Sequence, residues 1–293
     1  MDQFKWIQHK ANGDNLKKFT ESTTIHIMNE PRTNKPLLVL DLDHTLLDFS
    51  SKRLQQATTY EMGASTAAAM KRPFMDQFLT VVYRHYDLVV WSQTSWKWVE
   101  VKLTELGMLS KFPMVCVCVF VFGFGVGREG TICKGIGSCN FDSCCKCFVH
   151  SDFLKLYNIA NPGYKFCFVL DKTSMFSVTS TKRDGTAYRH YVKPMQLLWS
   201  KFPNRWGPHN TVHLDDLSRN FALNIDSGLK VTAYHRKKSS ASRDLELSGL
   251  SVYLSILAND ALDFEIVDFR KWVEVVKGTS TLSQTQRPKS NKK

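Results

Sequence analysis

Leu37-Leu38-Val39-Leu40-Asp41-Leu42-Asp43-His44-Thr45-Leu46 is the stretch on which the fold of this 293-residue chain turns. Four apolar residues run unbroken into Asp41 and Asp43. A short apolar run of this kind suits a strand buried on both faces, as in a parallel sheet. Aspartate is a poor strand former, so the two carboxylates mark where the strand leaves the core. Side chains alternate along extended chain, which puts Asp41 and Asp43 on one side, roughly 6–7 Å apart. The carboxyl end of a sheet strand is also where α/β folds place their ligands.

Two more stretches have this form. Asp87-Leu88-Val89-Val90-Trp91 runs into Ser92, and Thr211-Val212-His213-Leu214 runs into Asp215 and Asp216. Phe74–His85, with Phe74, Phe78, Val81 and Val82 on one face, reads as a helix opened by Pro73. Trp96–Leu106 reads as another, closed by Gly107. Alternating strands and helices argue for a parallel sheet with right-handed crossovers. Phe166–Asp171 is strand-like, and Phe176–Thr181 and Ala187–Val192 flank Asp184-Gly185, a hairpin signal. Gln196–Phe202 is a short helix, and Leu247, Leu250, Leu254 and Leu257 lie at helical spacing for core packing. Thr24–Met28 reads as a strand, residues 48–72 as a long excursion, and 276–293 as a disordered basic tail.

Composition narrows the class. Hydrophobic residues at 43% and charged residues at 23% are ordinary for a globular protein. The net charge of +12 permits an acidic partner such as a phosphorylated peptide. Much of the excess falls in two local runs, His235–Lys238 and Arg287–Lys293, which read as solvated loop and tail and not as a specific nucleic-acid surface. The first residues lack the apolar core of a signal peptide, and the longest apolar run, Met114–Val126, is 13 residues, too short for a bilayer. No membrane association is therefore expected. Seven of the eight cysteines crowd between Cys116 and Cys147. Without a secretory signal they read as reduced thiols. Cys144, Cys145, Cys147 and His150 lack the paired Cys-x2-Cys spacing of a zinc site. Residues 110–160, low in complexity and rich in cysteine, read as an insertion, either disordered or translated non-coding sequence.

If the three strands ending in polar residues are neighbours, Asp41, Asp43, Ser92, Asp215 and Asp216 meet at one sheet edge, with Lys193 close in sequence. Four carboxylates in one crevice raise each other's pKa unless a cation sits among them. Hard carboxylate oxygens suit Mg²⁺. A hydroxyl and an ammonium beside them complete a site for a tetrahedral dianion, which points to phosphoryl transfer. Taken singly, each group has a simpler reading: Ser92 as a helix N-cap, Asp215-Asp216 as a turn, Lys193 as a surface charge.

The stretch Asp41-Leu42-Asp43-His44-Thr45 resembles the DxDx[TV] first motif of the haloacid dehalogenase (HAD) superfamily. LLVLDLDHTLLD, RPFMDQFLTVVYRHYDLVVWSQTSWKWVEVKLTELG, YVKPMQLLWSKFP and NTVHLDDLSRNFALNIDSGLKV together resemble the FCP/SCP-type protein phosphatases, in the branch that carries a ubiquitin-like domain. The likeness covers residues 24–109 and 161–275. It implies an α/β, Rossmann-like HAD fold with a central parallel sheet and a small β-hairpin insertion. The phosphatase domain would span 24–275, after an extension at 1–23 and interrupted at 110–160.

By the same resemblance Asp41 is the nucleophile of an aspartyl-phosphate pathway and Asp43 the general acid/base. Ser92 and Lys193 hold the phosphoryl oxygens. Asp216, with Asp41 and the backbone carbonyl of Asp43, binds Mg²⁺; Asp215 either orients Lys193 or assists the metal. The implied substrate is a phosphoserine or phosphothreonine protein, such as a proteasome subunit or an RNA polymerase II tail peptide, and the implied location is the nucleus. Lys182, Arg183, Arg189 and His190 on the hairpin offer a dock for an acidic phosphopeptide. Only about 36 residues precede the core strand, so the ubiquitin-like domain that reaches the proteasome is expected to be absent. Two other functions fit less of the pattern: a phosphatase for a small metabolite, which the lack of a large cap domain disfavours, and an inactive binding module.

Overall fold

The apolar run Leu37–Leu40 is strand β1, the middle strand of a five-stranded parallel sheet. The computed structural model describes residues 13–49, 69–108, 163–182, 184–261 and 263–285. Helix α1 is Gly13–Ser22, followed by β1, helix α2 (Met75–Tyr83), β2 (Asp87–Trp91), α3 (Trp96–Glu105) and β3 (Phe166–Leu170). After them come β4 (Phe176–Thr181), β5 (Ala187–Val192), α4 (Gln196–Lys201), β6 (Thr211–Asp215), β7 (Gly228–Lys230), α5 (Glu246–Asp260) and α6 (Trp272–Thr285). The sheet order is β3-β2-β1-β6-β7, with β4 and β5 paired separately as an antiparallel hairpin. The α/β architecture with a hairpin is thus as the pattern of apolar runs implied.

Strands β1 and β2 divide their side chains between two cores, as a period of two requires. Leu38, Leu40, Leu88, Val90, Val212 and Leu214 pack on one face, with Phe78, Leu79 and Val82 of α2 and Leu250 and Leu254 of α5. Leu37, Val39, Val89, Trp91 and Phe168 pack on the other, with Leu197 and Leu198 of α4 and Trp206. Burial on both faces explains why these strands read as unbroken apolar runs. The chain winds one way from β1 to β3 and the other way through β6 and β7, so the direction reverses between β1 and β6. In open α/β sheets, ligands bind outside the carboxyl ends of the strands at such a reversal.

The excursion after β1 is closed at its base. Asp48 N–H donates to the Met70 carbonyl at 2.9 Å, Arg72 N–H to that of Leu46 at 2.9 Å, and Leu47 bridges Lys71 antiparallel. The fully buried Arg72 holds this base to α5: its guanidinium donates to Asp244 at 2.9 Å, Glu246 at 2.5 Å and the Thr45 carbonyl at 3.1 Å. Residues 50–68, within the stretch read as a long excursion, lie outside the described residues, as do Arg183 and the whole of the presumed insertion at 110–160.

Three local expectations need correction. Thr24–Met28 is not a strand. Met28 and Asn29 N–H groups both donate to the Cys167 carbonyl, at 2.8 and 3.1 Å, and the Asn29 side chain to that of Phe166, at 2.8 Å. The segment covers acceptors of the edge strand β3 without forming a ladder. The buried stripe of α2 is Met75, Phe78, Leu79 and Val82, one residue displaced from the expected one: Phe74 takes a left-handed conformation (φ 66°) before the helix and is exposed. Finally, helix α6 runs to Thr285, through the first part of the stretch read as a disordered tail. Trp272, at its start, packs against the core beside Tyr253 of α5, which gives the helix an anchor that charge counting did not weigh.

Candidate active site

The register between β1 and β6 places the acidic residues. Leu40 lies beside Leu214, and Asp41 N–H donates to the Leu214 carbonyl at 3.0 Å. One residue further, Asp41 and Asp215 follow their strands on the face of Leu37 and Val39, while Leu42 enters the same core as Leu38 and Leu40. Lys193, the first residue after β5, reaches these two carboxylates. Its Nζ donates to Asp41 Oδ1 at 2.6 Å and to Asp215 Oδ2 at 2.6 Å, and it is fully buried. The hairpin therefore does more than decorate the fold, because its second strand delivers the ammonium to the strand tips.

Adjacent aspartates at the end of β6 differ in their bonding. Asp215 is saturated by the protein: Oδ2 also accepts from Asn220 Nδ2 at 2.8 Å, and Oδ1 accepts from the Leu217 N–H at 2.8 Å. Burial opposes its charge, yet Lys193 and the buried His213 ring, whose Nε2 lies 3.5 Å from Oδ2, hold the carboxyl below the usual carboxylate range. Asp216 has no ion-pair partner among the described residues. Burial and the neighbouring Asp215 push its carboxyl up to about 6. Asp41 is likewise raised by burial, to about 8, against the pull of Lys193. One carboxylate oxygen from each of Asp41, Asp215 and Asp216 lies within 4.8 Å of the others. Three acids around one ammonium leave excess negative charge in a buried place, and an all-oxygen donor set of this kind fits a hard divalent cation.

Asp43 is not part of that group. Its carboxylate, about one-third exposed, forms a short ion pair with the ammonium of Lys102, which is almost fully buried. Lys102 Nζ also approaches Thr94 Oγ1 at 3.4 Å, and Thr94 Oγ1 bonds Ser92 Oγ at 2.9 Å. The buried Ser92 is thereby connected to Asp43 through two side chains. Ser92 does not cap the next helix. The carboxylate of Asp171, at the end of β3, accepts from the Trp96 N–H at 2.8 Å and ties the start of α3 to the sheet edge.

Lys102 and Asp171 were not singled out from the sequence. A signal for Lys102 existed: with Val99, Leu103 and Leu106 it occupies the inward face of α3, where an unpaired lysine would be costly. Of the hairpin residues proposed as a dock, Lys182 and Arg189 are exposed. His190 faces inward, sharing a hydrogen bond with Ser180 Oγ at 2.8 Å. It is not available as a docking charge, since strand alternation sends it to the side opposite Arg189.

A family model described as NLI interacting factor-like phosphatase matches residues 36–116 and 159–265. The match breaks over residues 117–158, inside the low-complexity stretch. Among curated proteins the chain is similar to "Ubiquitin-like domain-containing CTD phosphatase 1" from several animals. The Danio rerio protein is 30% identical over 245 residues, which is 84% of this chain and 56% of the relative. The Homo sapiens protein is 30% identical over 241 residues, 82% of this chain and 55% of the relative. The Drosophila melanogaster protein is 31% identical over 242 residues, 83% and 55% respectively. The chain thus spans a little over half the length of these relatives.

Proposed function

The chain belongs to the NLI interacting factor-like phosphatase family, and from that membership and the geometry of the strand tips we propose that it is a Mg²⁺-dependent phosphatase of phosphoserine and phosphothreonine proteins. The observation that carries this reading is the buried Lys193 bridging Asp41 and Asp215 at 2.6 Å each, next to the uncompensated Asp216. Such a cluster pairs a carboxylate nucleophile with positive charge for a phosphoryl group and with ligands for a cation.

In the proposed reaction an Asp41 carboxylate oxygen attacks phosphorus in line, forming an aspartyl phosphate as the bond to the serine or threonine oxygen breaks. Asp43 gives its proton to that leaving oxygen. A water then attacks the phosphorus, Asp43 takes back a proton, and the acyl phosphate breaks to inorganic phosphate and the Asp41 carboxylate. Lys193 and Ser92 hold phosphoryl oxygens. Asp41 and Asp216 would hold Mg²⁺, which when bound offsets charge on the transferring group. Asp215, with both oxygens occupied, orients Lys193. The hairpin that delivers Lys193 to the strand tips bears the exposed Lys182 and Arg189, whose charge suits an acidic phosphopeptide. The relatives' name points to the polymerase tail as the kind of substrate, and a nuclear location goes with it. The proteasome, the other partner implied by resemblance, would be reached through a ubiquitin-like domain and not through the hairpin.

The test is hydrolysis of p-nitrophenyl phosphate and of a serine-phosphorylated peptide, with Mg²⁺ and with a chelator. Both substrates should be hydrolysed with Mg²⁺ and neither after chelation. Hydrolysis of small phosphates alone would favour a metabolite enzyme, and hydrolysis of neither an inert binding module.

Lys102 is a positioning residue in this scheme, because it holds the proton carrier and touches no reacting atom. Lys102→Met should lower kcat for the phosphopeptide by about 10–100-fold, up to the lower end of the roughly 10²–10⁴-fold that general acid/base catalysis contributes, since Asp43 itself remains. KM should stay near the wild-type value, and Lys102→Arg should restore part of the rate. A change confined to KM would count against the role.

A further inference from the structure

A second cluster of ligand-type side chains lies beside the strand tips and takes no part in the proposed phosphatase reaction. We propose that His44, Asp48 and His235 form a metal site for a borderline divalent ion such as Zn²⁺, separate from the carboxylate group of Asp41, Asp215 and Asp216. One nitrogen from each ring and one Asp48 oxygen lie within 4.8 Å of one another. Ligand atoms around a tetrahedral Zn²⁺ stand about 3.4 Å apart at the usual bond lengths, so small rotamer changes close the group on an ion.

The three residues come from the loop after β1 and the segment after β7, and the backbone ties these together. Tyr234 N–H donates to the His44 carbonyl at 2.7 Å, and Arg236 N–H donates to Asp48 Oδ2 at 2.9 Å. His44 is held in a left-handed conformation (φ 64°), its N–H donating to the Leu47 carbonyl at 2.7 Å. Its ring stands 4.6 Å from that of His235, centroid to centroid.

The protonation of His44 can be read from its partner. Nδ1 lies 2.9 Å from the Tyr234 carbonyl, which can only accept. In the neutral ring Nδ1 therefore carries the hydrogen and Nε2 keeps the lone pair. A metal-binding histidine commonly donates its second nitrogen to a carbonyl in this way, which fixes the ring and its tautomer. The Arg236 N–H bond orders the buried Asp48 carboxylate beside the two rings, where it can share an ion with them.

Donor chemistry separates the two sites. Two imidazole nitrogens and one carboxylate oxygen select zinc-like ions, whereas the all-oxygen pair of Asp41 and Asp216 selects Mg²⁺. An ion at the histidine site would clamp the base of the 50–68 excursion to the segment after β7.

The experiment is a Zn²⁺ titration of the full chain against a chromophoric chelator, in excess Mg²⁺. The cysteines between Cys116 and Cys147 can bind Zn²⁺ themselves, so the readout is a difference between variants. His235→Ala and His44→Asn, the latter keeping a residue that tolerates the left-handed backbone, should each lose one equivalent, or bind it at least about tenfold more weakly. Asp216→Asn should keep it. An equal count and affinity in wild type and both histidine variants would overturn the site, as would a loss confined to Asp216→Asn. If a variant fails to fold, the wild type still decides: Zn²⁺ should protect His44 and His235 from diethylpyrocarbonate, mapped by peptide mass. Equal modification of both with and without Zn²⁺ overturns the proposal.

Discussion

Asp41→Asn is expected to abolish phosphate release while leaving the fold intact. Asparagine has the size of aspartate but cannot attack phosphorus to form an acyl phosphate. Removing a covalent nucleophile costs at least about 10³-fold in kcat where the rest of a site persists. Stability should move the other way. Burial pushes the Asp41 carboxyl up to about 8, so its ionised form is disfavoured by the fold at neutral pH. A neutral amide removes that penalty, and Lys193 retains Asp215 as its partner. In Mg²⁺-free buffer near pH 7 the variant should therefore unfold at a urea concentration equal to or above that of wild type. Two measurements check this: steady-state hydrolysis with phosphoenzyme trapping, and urea unfolding. Full activity in Asp41→Asn would sink the nucleophile assignment. Inactivity accompanied by unfolding would show that Asp41 is needed first for structure.

The parts of this site that were legible in the sequence are those that local rules control. An apolar strand that ends in polar residues announces both its burial and its tip, and Asp41, Ser92 and Asp215 are at three such tips. The Asp184-Gly185 turn set the hairpin register, which in turn placed Lys193. What stayed hidden depended on pairing between distant segments. Asp215 and Asp216 are equivalent as letters; only the β1–β6 register and the bond from Asn220 give one of them to Lys193. The inward place of Lys102 on α3 is a local signal, but its partner Asp43 lies 59 positions away and no spacing rule connects the two. Thr24–Met28 has strand composition, but the edge it meets is covered by three bonds and not extended. His44 and His235 are 191 positions apart, and no spacing rule connects them.

Lys193→Met should be the most damaging single change at the strand tips, because it affects stability as well as rate. In the wild type the ammonium is fully buried between two buried carboxylates. Removing it leaves Asp41 and Asp215 without their shared cation, and breaking a buried ion pair in this way costs about 3–5 kcal/mol. Asp215 retains the Asn220 and Leu217 donors, so the larger part of the penalty should fall on Asp41. Measured at pH 9, where an Asp41 carboxyl raised to about 8 is ionised beside Lys193, the double variant Lys193→Met/Asp41→Asn should regain stability relative to Lys193→Met alone, since the buried acid that lost its cation has gone. Activity should not return in either, because the phosphoryl group has lost its buried cation and, in the double variant, its nucleophile as well. Urea unfolding of the wild type, both single variants and the double variant gives the coupling directly. Additive effects would mean that Lys193 and Asp41 do not stabilise each other, and the site would then need another explanation for a lysine held wholly out of water.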